Sequence, residues 1–155
     1  MLQRVQSVLL LLTALALGVF LGTNSFVKAI SPSEKVVVNP FHVYHQTGNL
    51  ASFNKDIYYV AVLGGLALIL TIFTIFQYKN RIRQMLFVAL NSLLIGAALA
   101  ITVYHIQTDA IKLGSGEGTY GLGMWAAFVA LAANWLANRF IKKDEKLVKD
   151  ADRMR

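Results

Sequence analysis

The sequence predicts an all-α membrane protein: a bundle of four transmembrane helices, a small β-hairpin-like first outer loop, and a helical C-terminal extension in the cytoplasm. Three observations carry that expectation. Four apolar stretches, at about 7–23, 57–76, 85–106 and 120–137, contain no Asp, Glu, Lys or Arg. Each approaches the ~20 residues that take a helix across a ~30 Å hydrocarbon core. Charged residues make up 15% of the 155-residue chain and hydrophobic residues 56%, whereas soluble domains carry ~25% charged residues. Finally, the charges divide unequally between the two ends of the predicted helices. One domain, 1–155, is expected.

The first stretch follows Arg4 and precedes a small-residue site at Val27-Lys28-Ala29, a pattern shared with secretory signal peptides. Ala14, Gly18 and Gly22 form a small-residue ridge suited to helix contact. The expectation is therefore a retained span. In the loop 24–56, Lys35–Val38 and Phe41–His45 read as two short strands around Asn39-Pro40. Two strands alone are marginal, so such a hairpin must rest on the helices or on a partner.

The second and third stretches are joined by the basic turn Gln77–Gln84, which makes them antiparallel neighbours. The third and fourth are joined by 107–119, where Gly114-Ser115-Gly116-Glu117-Gly118 reads as a flexible loop. No breaker separates the fourth stretch from the tail 138–155, so its helix should run on. In that tail Leu147, Ala151 and Met154 share one face with Val148 beside them.

Arg4, the Lys79–Arg83 turn and the tail hold all the Lys and Arg except Lys28, Lys35, Lys55 and Lys112, while the acids divide evenly. The positive-inside rule places both termini and the turn in the cytoplasm. A basic face of this kind suits anionic membrane lipid rather than nucleic acid.

Signals for chemistry are few. Cysteine is absent, which removes thiol nucleophiles and thiolate metal sites. His42, His45 and His105 are the only histidines. They are weak metal candidates, because residues three apart on a strand point to opposite faces. No cofactor or catalytic grouping is expected. Asn91 and Asn134 are interhelix polar candidates, since an amide in hydrocarbon seeks a partner and their depths match in antiparallel helices. No ionisable residue lies at mid-depth, which argues against ion-coupled transport.

Three blocks carry a family resemblance. They are Met1-Leu2-Gln3-Arg4-Val5-Gln6, then Tyr78-Lys79-Asn80-Arg81 with Gln84, Leu86 and Asn91, then Ala137-Asn138-Arg139 through Asp144-Glu145-Lys146-Leu147-Val148 and Ala151-Asp152-Arg153-Met154-Arg155. With them the chain resembles an uncharacterised family of small four-helix inner-membrane proteins of Bacteroidota-type bacteria, defined as a domain of unknown function. The shared patterns are an M-[IL]-Q-R-[IV]-Q start and an A-N-R…K-D-E-x-L-V…A-D-R-[LM]-R tail. The resemblance implies four-span topology and a bacterial inner membrane, and it supplies no activity. Some members carry a Cys near position 87, where this chain has Phe87.

These blocks cluster on the cytoplasmic side. Arg4, Lys79, Asn80, Arg81, Gln84, Asn138, Arg139, Asp144, Glu145, Leu147, Val148, Asp152 and Arg153 are accordingly the docking candidates. The expected role is a non-enzymatic accessory, scaffold or assembly subunit with a membrane or cytoplasmic protein partner, or a second copy of itself. A small carrier or channel-like bundle for a lipidic or neutral molecule is the alternative.

Overall fold

A computed structural model of the chain describes residues 2–48, 50–77, 80–112 and 116–153. Its elements run α1 (Leu2–Gly22), β1 (Phe26–Ser31), β2 (Glu34–Val38), β3 (His42–Thr47), β4 (Leu50–Asp56), α2 (Tyr58–Phe76) and α3 (Arg81–His105). A π-helical turn (Ile106–Ala110), β5 (Glu117–Tyr120) and α4 (Leu122–Arg153) complete the chain.

The helices share one packing rule. Their buried positions alternate in steps of four and three: Gln6, Leu10, Thr13, Leu17 and Phe20 on α1, and Val60, Gly64, Ala67, Thr71 and Thr74 on α2. On α3 they are Gln84, Val88, Asn91, Ile95, Ala98, Thr102 and His105, and on α4 Gly123, Ala127, Ala130, Asn134, Ala137 and Ile141. A 3.5-residue repeat keeps one seam of each helix on its neighbours. α1 lies against α2 and α4, and α3 against the same two helices. The α4 seam is mostly Gly and Ala, which lets the helix backbones approach closely.

The expected all-α bundle with a hairpin-like loop is corrected here. The four helices carry a five-stranded antiparallel sheet of order β4-β3-β2-β1-β5. The expected strands are its β2 and β3, turned by Asn39, whose Oδ1 accepts from the Phe41 and His42 amides at 2.9 and 2.7 Å. β1 and β4 flank them. The loop read as flexible supplies β5, which pairs Phe26 with Tyr120 and Ala29 with Glu117. Its glycines are required by close approach. A Cβ on Gly118 would stand 2.2 Å from the Phe26 ring, and one on Gly116 2.1 Å from the Ala29 carbonyl oxygen.

The sheet sits on the helix ends. Phe26, Val36, Val38 and Val43 are buried with Ile57, Ile106 and Ala110 in the main core. The Phe41 and Pro40 carbonyls accept from the Ile57 and Ala61 amides at 2.8 and 3.1 Å, satisfying N–H groups that the start of α2 would otherwise leave unpaired. Lys28 is buried and donates to the Ile111 carbonyl at 2.7 Å, closing the other end of the π turn. A cation is favoured at such a C-terminus.

Two further expectations are revised. Gly18 and Gly22 face open space, so the small-residue ridge on α1 is not its contact face. Close approach occurs instead at Gly64, where an added Cβ would stand 2.9 Å from Leu21. Among the described residues, three helical segments, Val5–Gly22, Tyr58–Phe76 and Arg81–Ala110, are long and apolar enough to cross a membrane. α4 is not among them, because Asn134, Asn138 and Arg139 interrupt its apolar run.

Candidate functional site

At the end of the molecule away from the sheet, α3 begins beside the second half of α4. Asn80 caps α3, its Oδ1 accepting from the Arg83 amide at 3.3 Å. The next residue reaches across to α4. Arg81 Nη2 lies 3.3 Å from Asp144 Oδ2, and Nη1 donates to the Asp144 carbonyl at 3.4 Å. Two contacts from one guanidinium fix the direction of α4 as well as its distance. The Asp144 side chain is only 16% exposed, so the pair is better shielded from water than an ordinary surface ion pair.

Beside this clamp lies a groove of about 250 Å³ lined by Asn80, Arg81, Ile82, Glu145 and Val148. Ile82 is 67% exposed, Leu147 50% and Val148 41%. Apolar side chains and fixed charges therefore share one face of the α3 start and the tail.

The other docking candidates are scattered. Gln84 is buried in the α3 seam, its Nε2 donating to the Thr74 carbonyl at 3.4 Å, and it is out of a partner's reach. Arg139 is exposed with its guanidinium 5.8 Å from the Trp135 ring centroid. Asn138 turns a buried Oδ1 inward with no partner among the described residues, as does Gln6 with its Nε2. The side chains of Arg4, Lys79, Asp152 and Arg153 lie outside the described residues, as do those of Ala151 and Met154.

Inside the helices a polar layer follows an apolar one. Leu10, Val88, Ala137 and Ile141 pack together. One seam step toward the sheet lie Thr13, Asn91 and Asn134, joined by Thr71. Asn91 Nδ2 donates to Asn134 Oδ1 at 3.1 Å and to Thr71 Oγ1 at 2.8 Å. Asn134 Nδ2 donates to the Val88 carbonyl at 2.9 Å and to Ser92 Oγ at 2.8 Å. The two amides join α2, α3 and α4 at one depth.

At the sheet end the three histidines are held in separate contacts. His42 Nδ1 is 2.9 Å from Asp56 Oδ1, with its ring edge-to-face on Tyr58. His45 holds a buried Nε2 with no partner among the described residues. His105 is bonded to Tyr59 and Asp109. Among the described residues, no three His, Cys, Asp or Glu converge as a metal site would need. Sequence reasoning missed the Tyr59–His105–Asp109 grouping. The i,i+4 spacing of His105 and Asp109 at a helix end was the only available signal.

A family model described as a domain of unknown function (DUF4293) matches residues 2–154, and the chain belongs to that family. No curated protein matches the chain.

Proposed function

We propose that this family member is a bacterial inner-membrane protein with both termini in the cytoplasm, α4 making the fourth pass with its Asn134 turned into the helix seam. Its role on this reading is that of an accessory, scaffold or assembly subunit, docking a protein partner through the face formed by the α3 start and the α4 tail. The observation that carries the reading is the Arg81–Asp144 clamp beside exposed Ile82, Leu147 and Val148. A tail that only met lipid headgroups would need basic residues alone. Here an acid is used to lock the helix, and the apolar side chains next to it stay uncovered. The surplus of Lys and Arg at this end supports its cytoplasmic placement.

The test is a crosslinked pull-down from native membranes with the full chain and with a chain ending at Lys143. The reading expects a discrete partner captured by the full chain and lost on truncation. Equal capture, or none from either when both insert normally, would overturn it.

One observation favours the carrier or channel-like alternative. An apolar groove of about 280 Å³ is lined by Val103, Tyr120, Met124, Trp125 and Phe128, a shape and chemistry suited to an acyl or isoprenoid chain. Native mass spectrometry with a lipid-like species retained, and lost in Trp125→Ala, would support that alternative.

A further inference from the structure

We propose that Tyr59 is a base-activated nucleophile at the sheet end of the helices, directed at a carboxylic ester carried by a bilayer lipid. His105 is 2% exposed, and its Nε2 is hydrogen-bonded to the Tyr59 hydroxyl. Its Nδ1 lies 2.5 Å from Asp109 Oδ2, and Lys55 Nζ holds the same carboxylate oxygen at 3.4 Å. With the Nδ1 proton committed to Asp109, Nε2 is left as an acceptor facing the phenol. Hydroxyl, imidazole and carboxylate in that order are the parts that base-assisted acyl transfer uses. The carboxylate comes from the π-helical turn, a distortion that often accompanies function.

Depth points to the substrate class. Tyr59 is the second residue of α2 and 47% exposed, while the imidazole behind it is sealed. With α2 as a membrane span, a premise the inference rests on, the phenol sits at the bilayer interface, where tyrosines are favoured. The glycerol ester groups of phospholipids lie at that same level.

The step closes on itself. Tyr59 Oη attacks the ester carbonyl while its proton passes to His105 Nε2. The tetrahedral adduct then collapses with cleavage of the carbon–oxygen bond to glycerol. His105 returns the proton to the leaving oxygen, and the acyl group stays esterified to Tyr59. This goes beyond the docking role above and occupies the opposite end of the molecule.

A network that only held α2, α3 and β4 together would leave Tyr59 no more reactive than its neighbour Tyr58, which is equally exposed at 51%. The test therefore uses the full chain in phosphatidylcholine vesicles with 4-nitrophenyl laurate as the probe. Peptide mass spectrometry reads laurate on each tyrosine. The expected result is acylation of Tyr59 at least ~10-fold faster than Tyr58, a modest share of the ~10²–10⁴ that a general base contributes. His105→Gln and Asp109→Asn should bring Tyr59 down to the Tyr58 rate. Equal rates in the unmodified chain overturn the proposal whether or not the variants fold, as does an undiminished rate in a folded His105→Gln protein. A chain that fails to float with the vesicles removes the membrane premise and the proposal with it.

Discussion

Asn91 on α3 donates to Asn134 on α4 across 3.1 Å, with both side chains at most 1% exposed. Removing either amide strands a polar atom of the other in the sealed helix seam, and an unsatisfied buried group costs ~1–3 kcal/mol. Asn91→Ala and Asn134→Ala should each lower stability by about that amount. Asn91→Leu with Asn134→Leu should fall short of the sum of the two single leucine variants, because neither then leaves an orphan. Denaturant titration in detergent, read by tryptophan fluorescence, checks both statements.

The glycines divide into two classes that substitution will separate. Gly118→Ala drives a methyl into the Phe26 ring and should cost about 1–3 kcal/mol, as overpacking does. It should also detach β5, visible as faster hydrogen exchange at the β1 amides. Gly18→Ala meets nothing within 4 Å and exchanges a poor helix former for a good one, a change of up to ~1 kcal/mol in the stabilising direction.

The Arg81–Asp144 pair predicts a reversible defect. Asp144→Lys should free the second half of α4, increasing protease cutting after Lys143 while changing global stability by only ~1 kcal/mol. Arg81→Glu in the same chain restores attraction and should restore protection. Limited proteolysis of vesicle-embedded protein measures this directly.

The chain has no cysteine, so single cysteines report sidedness without background. A cysteine replacing exposed Leu50 on the sheet should react with a membrane-impermeant maleimide in intact cells. One replacing Lys146 should react only after permeabilisation. Matching reactivity at both positions would refute the placement of sheet and tail on opposite sides.

The helices were legible in the sequence because soluble cores rarely contain a charge-free run long enough to cross a bilayer, and 4-3 spacing marks which face is buried. The Asn91–Asn134 contact was legible because antiparallel neighbours bring equal depths together. β2 and β3 could be read from their valines and the intervening Asn39-Pro40 turn. β5 could not. It pairs with β1 from the far side of α2, α3 and the π-helical turn, and Gly116 and Gly118 look flexible until Ala29 and Phe26 are seen against them. β4 was missed because Leu50–Asp56 is a polar edge strand that a bulge takes out of alternation. Lys28 reads as a loop cation, yet it is buried under the sheet as the cap of a helix end remote in sequence. The Tyr59–His105–Asp109 grouping depends on the register between α2 and α3, which no local pattern encodes. At the docking face, Gln84 reads like its basic neighbours, and only the helix seam separates it from them.

The docking claim meets its most direct test at Leu147, half exposed at the tail. A photo-crosslinking residue there should give a discrete protein adduct in native membranes. The same residue at Leu93, 68% exposed in the middle of α3, should give lipid adducts only. Lipid adducts alone at both positions would contradict the account and leave the tail as a charged helix resting at the headgroups.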